Sequence, residues 1–380
     1  MRKSIDVGIL LSTSGTYRYI AESSYQGLCD AIDEVNANPD YPIRIRAHHI
    51  NPEGKLSGYR DGAETLLAQG IQHLFGTSTS SSRKEIIPII EREQALLWYG
   101  CPYEGYESCE QVIYLGGCPN QTLIPMLHYA LTHLGNRCAL VGSNYVWGWE
   151  SNRIAKEVIE ASGAQLCCDH YLPLGVTQTD HLVEKVLGQA PDFILNNLVG
   201  DSSWVFLAQL NEALTRLNKR MFVLSSNLSE SEASQIKNLN QLRFISSGPF
   251  FESTNPEFCD QQKKKHKKLN QLSHIYTSAW LSVQLFVQSY IRAQSEDTQL
   301  IKEQLFDCLH ESSLGKISIS STNNHAVLPC YLAEFIQGRF DKFYQEPRLI
   351  QPDPYLTQTP LATNLASGVH TGTHHLRVIK

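Results

Sequence analysis

The sequence predicts an α/β protein of two doubly wound parallel-sheet lobes flanking a ligand cleft. Three observations point there. Short apolar runs alternate with longer amphipathic stretches; the alternation restarts after residue 120; and glycine, proline and hydroxyl residues punctuate nearly every junction. At 380 residues the chain can fill two hydrophobic cores.

In the first half, IDVGILL (5–11) reads as a strand and 22–36 as a helix with Tyr25, Leu28, Ile32 and Val35 on one face. IRIRAHHI (43–50) alternates as a strand does. A helix from Leu56 to Gln69, a strand at 73–75, a helix over Ser81–Glu93 and strands at 95–100 and 112–116 follow. The second half repeats the pattern, with helices at 122–134, 149–161, 179–188, 202–214 and near 229–237. Its strands fall at 137–143, 165–174, 192–198 and 221–226. LRFISSGPF (242–250) is a strand able to run back toward the first half, and helices at 272–292 and 296–308 follow it. From Gly315 the pattern turns antiparallel, with a turn at Gly338–Arg339. The tail, rich in Pro, Thr and His, predicts little order past Tyr355 beyond an extended surface piece. The expected lobes are 1–120 plus 248–323 and 121–247 plus 324–346, with 347–380 as the tail.

Composition narrows the function. The chain is 42% hydrophobic and 18% charged with formal net charge -6, so it offers no general cationic footprint to a phosphate backbone, and direct nucleic-acid binding is not expected. The one basic block, QQKKKHKKLN around Lys263–Lys268, reads as a solvated helix start or loop, or else a partner-contact patch. Asp6 interrupts the N-terminal apolar run, which reads as a first strand and not as an export signal. The ten cysteines lack a CxxC and mostly stand alone in apolar surroundings, as buried free thiols do; neither a metal centre nor a cofactor is expected. Vicinal Cys167 and Cys168 should point to opposite faces of a strand.

Open parallel sheets hold ligands at the carboxyl ends of their strands. Here those segments are rich in hydroxyls, amides and aromatics and poor in charge. Gly76–Ser82 runs GTSTSSS into a helix start, where unpaired backbone N–H groups gather. Ser81 or Ser82 suffices to cap that helix, leaving Ser78, Thr79 and Ser80 for a ligand. Tyr99, Cys101 and Tyr103 follow the next strand, while Tyr145, Trp147 and Trp149 occupy the matching place in the second half. Asp201 is either an acceptor for a ligand N–H or a first-turn helix residue. Cys101 with Glu104 would suit amide hydrolysis, yet no histidine lies in the strand-end segments, and non-catalytic binding is expected.

Several stretches carry a resemblance: SRKEIIPIIEREQALLWYGCPYEGYE, GGCPNQ, VGSNYVWGWESN, HYLPLGVTQTD, NNLVGDSS, NNH and QPDPY. Through them the chain resembles the AmiC-type amide sensors and the urea and short-chain-amide binding proteins of branched-chain-amino-acid-type transporters. The resemblance implies the type I periplasmic-binding-protein fold, with crossovers near 120, 247 and 325, and a closed pocket for a small neutral amide or urea. It implies a wall of Ser78, Ser80, Tyr99, Cys101, Pro102, Tyr145 and Trp147, with Asp201, Asn227 and Trp280 in second rank. Three positions depart from the pattern. Ser78 stands where relatives place an aromatic, Cys101 replaces a hydrogen-bonding residue, and Trp147 replaces Tyr. The expected role is a cytosolic sensor that regulates an RNA-binding antiterminator protein; the alternative is the substrate-binding component of an ABC transporter, partnered by permease subunits and periplasmic if its natural precursor carries a signal. A homo-oligomer stays open.

Overall fold

In the computed structural model, which describes residues 2–267, 271–306, 308–312, 314–362 and 369–370, the alternating pattern becomes a chain of β-α units. The first run is β1 (Lys3–Leu10), α1 (Arg18–Ala37), β2 (Ile43–Ile50), α2 (Leu56–Ala68), β3 (His73–Gly76), α3 (Ser80–Arg92), β4 (Leu96–Tyr99) and β5 (Val112–Tyr114). The second is α4 (Leu123–His133), β6 (Arg137–Ser143), α5 (Val146–Ala161), β7 (Gln165–Leu172), α6 (Asp180–Gly188), β8 (Phe193–Asn197), α7 (Gly200–Leu217), β9 (Met221–Ser225), α8 (Ala233–Ile236) and β10 (Leu242–Gly248). Then come α9 (Pro256–Lys265), α10 (His274–Ala293), α11 (Thr298–Leu305), β11 (His310–Ser312), β12 (Gly315–Ile319), β13 (Ala326–Val327), β14 (Tyr331–Ile336), β15 (Arg339–Gln345) and β16 (Val369–His370).

The chain divides into two compact units: Met1–Tyr103, Glu107–Gly117 and Asn255–Leu328 form the first, and Glu104–Tyr106, Cys118–Thr254 and Pro329–Lys380 the second. The divisions expected at 247/248 and 323/324 thus fall at 254/255 and 328/329, for local reasons. Ser253 Oγ accepts from the backbone of Lys342, holding 249–254 to β15. His325 bridges to Tyr114, and β13 pairs with β12, which keeps 324–328 in the first unit.

The first unit is built on a five-stranded sheet in the order β2-β1-β3-β4-β5, parallel throughout. β3, β4 and β5 are buried at every position, which is why they read as unbroken apolar runs with no alternation. α1 packs on α10 at a close crossing, where a Cβ on Gly27 would lie 2.3 Å from the Tyr276 carbonyl oxygen.

The second unit carries the order β16-β15-β14-β10-β9-β8-β6-β7, in which β10 to β7 are parallel and β14 and β15 run antiparallel. Neighbouring residues feed opposite cores. Val141, Ile194, Val223 and Phe244 enter the core formed with α6 and α7, while Leu140, Leu195, Leu224 and Ile245 enter the one formed with α4 and α5. That two-sided burial is the doubly wound arrangement the pattern predicts.

Some local expectations shift. The β14–β15 turn sits on Gln337 and Gly338, both at positive φ, one residue earlier than expected. A register shift in β6–β7 pairs Cys138 with Leu166 and Ala139 with Cys168, leaving Cys167 in a bulge. The basic block lies at the end of α9, not at a helix start, where Lys263–Lys265 face the negative pole of the helix dipole. Lys268 and the tail at 363–368 and 371–380 lie outside the described residues.

The tail past Tyr355 is held, contrary to expectation, as far as it is described. The Asp353 carboxylate accepts from the backbone of Thr357, Gln358 and Thr359 and from both threonine hydroxyls. Leu356 and Leu361 pack against the α4–α5 core. Asp353→Ala should therefore release residues past 353, costing about 1–3 kcal/mol. A lower Tm and faster chymotryptic cleavage after Tyr355 or Leu356 would show it; unchanged cleavage would assign the anchoring to the leucines.

Candidate functional site

In the first unit, the ends of β1, β3 and β4 are drawn together by backbone approach. A Cβ on Gly76 would meet the Leu10 carbonyl oxygen at 2.3 Å, and one on Gly116 the Cys101 carbonyl carbon at 2.0 Å. Glycine is the side-chain-free residue both contacts need, and Gly76 also has φ 131°. The buried Tyr59 hydroxyl lies beside Ser12 and Ser82, so the β1 loop and the start of α3 meet at one side chain.

The hydroxyl run then sorts itself by role. Thr79 is the N-cap of α3 in extended backbone, two or three residues earlier than Ser81 or Ser82 would place it, and this corrects the expected cap. Its Oγ1 accepts from the Ser82 backbone at 3.1 Å while Ser82 Oγ accepts from the Thr79 backbone at 3.2 Å, a reciprocal capping box. Thr79 is consequently committed to the helix. Thr77 Oγ1 and Ser78 Oγ are buried with no hydrogen-bond partner in the structure. Ser80 is buried at the first position of α3.

Arg83, wholly buried, follows one turn on. Its Nε donates to Glu107 Oε1 at 2.6 Å, and its guanidinium lies 4.6 Å from the Tyr99 ring centre and 4.7 Å from that of Tyr103. Burial alone would raise the Glu107 carboxyl, but Arg83 and Lys84 hold it down at about 2. Tyr99, at the end of β4, and Cys101 and Pro102 after it are buried. Burial pushes the Cys101 thiol up to about 12 against the opposing charge of Arg83, so it is protonated at neutral pH and a poor nucleophile.

In the second unit, Ser143 at the end of β6 organises the neighbouring loops. Its Oγ accepts from the Val199 backbone after β8 at 3.1 Å, and its carbonyl accepts from Tyr145 at 2.8 Å. Gly148 permits this, because a Cβ there would lie 2.1 Å from the same carbonyl oxygen. Trp147 is 6% exposed and its indole N–H has no acceptor. Asn197 donates to Asn152 Oδ1 at 2.8 Å, yet its own Oδ1 and the Ser202 hydroxyl are buried without partners.

The remaining candidates are placed differently. Tyr145 is half-buried at the N-cap of α5. Asp201 is exposed in the first turn of α7, the helix-dipole position. Asn227 lines a cavity of about 10 Å³, room for a single water, with Asn196, Ser225 and Glu232. Trp280 joins other helices: its indole donates to Glu34 of α1 at 3.2 Å and its ring meets Phe258 of α9 edge-on at 5.3 Å. The reason is its place on α10, which puts Ser278 against Gly100 after β4 and leaves Trp280 on the α1 side of the helix. Ser278 Oγ and His274 Nδ1, one turn away, are buried without partners and carry no local sequence signal. Thr77, Asn197 and Ser202 lay inside stretches already singled out. Among the described residues no group of three or more His, Cys, Asp or Glu could hold a metal ion, and no helix is long and apolar enough to cross a membrane.

A periplasmic binding protein domain model matches residues 5–361. The chain belongs to the periplasmic binding protein family. Solved structures agree on the fold. An ABC transporter solute-binding protein from Rhodopseudomonas palustris HaA2, solved with p-hydroxybenzoic acid, superposes with a TM-score of 0.83 at 15% identity, covering 94% of this chain and 100% of its own. An amino acid ABC transporter substrate-binding protein from Pseudomonas fluorescens Pf-5 gives 0.77 at 14% identity over 93% and 97%. A leucine-binding protein from Thermotoga maritima MSB8 gives 0.76 at 12% identity over 89% and 97%. In a periplasmic binding protein the strand-end loops are where such folds meet small ligands, and both units here concentrate unpaired polar atoms there.

Buried ionisable groups give the protein a pH profile. Burial pushes the Glu232 carboxyl from its ordinary 4.5 up to about 8, so the folded form holds that proton more tightly than the unfolded chain. The Glu232 contribution to stability therefore falls as pH rises from 4.5 toward 8, by up to about 5 kcal/mol. Burial pushes His73, His274 and His325 down from 6.5 to about 4, so stability also falls as pH drops through that interval. Glu232→Gln should raise the Tm at pH 8 by several degrees and leave it nearly unchanged at pH 4.5; equal effects at both pH values would show that Glu232 is ionised in the fold.

Proposed function

We propose that this chain is the solute-binding component of an ABC-type uptake system, working with permease subunits, and that it binds a small neutral polar solute without transforming it. One observation carries the reading: buried, unpartnered hydrogen-bonding atoms gather on the strand-end loops, Thr77 Oγ1 and Ser78 Oγ in the first unit and Trp147 Nε1, Asn197 Oδ1 and Ser202 Oγ in the second. Each such atom costs about 1–3 kcal/mol unless something satisfies it. A ligand that supplies the missing partners recovers that cost on binding.

The chemistry of the set indicates a neutral solute. The hydroxyls donate and accept, the indole N–H donates and the open Asn197 Oδ1 accepts, whereas Arg83 and Glu107 of the first unit are already paired with each other. A buried ligand charge would need its own counter-charge. An amide or urea group, planar with donors and acceptors on one edge, suits such a set. Ser78, where relatives place an aromatic, leaves room for a larger group, and an aromatic carboxamide is the natural extension. The neighbours described above are transporter components, which supports this role over that of a cytoplasmic amide sensor.

A thermal-shift screen of urea, short amides, benzamides, hydroxybenzoates and small amino acids tests the proposal, since a ligand bound only to the folded form raises Tm. Ser78→Ala and Trp147→Phe should each weaken the best compound at least tenfold, about 1.4 kcal/mol. Neither should lower the Tm of the free protein, because each removes an unsatisfied group. Retained affinity together with a lower Tm would assign both residues to packing alone.

A further inference from the structure

The first unit contains a second cavity, of about 660 Å³, lined by α1, α9 and α10 and away from the strand-end loops. Its volume falls in the range of small-molecule sites. Tyr41, Phe258 and Trp280 supply aromatic surface, with the Phe258 and Trp280 rings edge to face. The floor is a carboxylate system. Glu34 accepts from the Trp280 indole at 3.2 Å and from Lys265 at 3.0 Å, and His266 lies between Glu34 at 3.3 Å and Asp30 at 3.2 Å. Tyr276 donates to Asp30 from behind at 2.8 Å.

The charges in this floor do not cancel. Lys265 answers Glu34 and His266 spans Glu34 and Asp30, but Asp33, which lines the same cavity and is exposed to it, makes no hydrogen bond or ion pair with a described residue. The cavity therefore places aromatic rings next to a surplus carboxylate. Ring faces attract cations through the quadrupole, the more so when desolvated. A carboxylate at the rim adds a directional partner for an ammonium N–H. An anion would meet Asp33 and Glu34 and be repelled.

We propose that this cavity is a second binding site, for an organic ammonium ion with an aromatic or compact apolar body, its charge toward Asp33 and its body against Trp280, Phe258 and Tyr41. It is independent of the solute site in residues and in ligand chemistry. Trp280 carries the specificity, since its indole is fixed in place by Glu34.

Phenethylamine and choline are the probes, titrated calorimetrically into the wild-type chain, with phenylacetate as the anionic control. Both ammonium ions should bind with dissociation constants below about 10 mM and phenylacetate should not. Asp33→Asn changes an exposed carboxylate and should weaken phenethylamine at least threefold; Trp280→Leu should abolish it. Because Trp280→Leu perturbs a packed ring, Asp33→Asn is the deciding variant, with circular dichroism and Tm confirming its fold. Ser78→Ala, in the solute site, should leave phenethylamine binding unchanged. Absence of binding by either ammonium ion, equal binding of phenylacetate, or unchanged affinity in Asp33→Asn overturns the proposal. A loss in Ser78→Ala would instead show that the probe occupies the strand-end site.

Discussion

The first unit's site depends on the Arg83–Glu107 ion pair. Arg83 has no exposed side-chain surface, and a guanidinium removed from water is tolerated only when its charge and donors are answered. Glu107 answers the charge, Tyr99 and Tyr103 supply ring faces, and Tyr114 closes the group by donating to Glu107 at 2.8 Å. Such a pair adds little net stability compared with apolar packing. What it does is fix position: α3, the segment after β4 and the chain beyond Glu107 hold one arrangement because any other leaves a bare charge buried. The Thr79–Ser82 capping box then sets where α3 begins, and that in turn decides which hydroxyls remain unbonded.

The second unit reaches a comparable result without a buried ion pair at its strand ends. Ser143 binds two loops through its hydroxyl and carbonyl, and Gly148 lets the backbone of α5 approach within the space a side chain would fill. Trp147 is thereby held at the first turn of α5, buried but without an acceptor for its N–H. Close backbone packing replaces electrostatics as the positioning device. The consequence is that neutral polar groups, Ser143, Asn197 and the Trp147 indole, stand at the ends of β6 and β8, where the proposed solute would meet them.

Much of this was legible in the sequence because parallel sheets write themselves plainly. Strands buried on both faces must be apolar at every position, so LLWY and HLFG are readable without neighbours, and the β-α punctuation follows. Features set by contacts distant in sequence were not legible. Trp280 lies in an apolar helix that reads alike on all sides, and only the crossing at Gly27 decides which residues face α1. The same ambiguity concealed Ser278 and His274. Leu356 and Leu361 sit in a segment whose composition suggests disorder, yet one carboxylate at Asp353 gathers enough backbone donors to hold it.

The hydroxyl run at 77–82 shows how far residue type alone can carry a functional reading. Six similar side chains divide by geometry: Thr79 and Ser82 satisfy each other, while the Thr77 and Ser78 hydroxyls, before the helix begins, have no hydrogen-bond partner among the described residues. The division follows from the cap, which Thr79 takes in extended backbone. Moving the cap one residue along would return Thr79 to the unbonded group and change which ligand edge the loop could meet. Which hydroxyls this loop leaves open is therefore set by where a helix starts, a property of backbone register that hydroxyl content does not reveal.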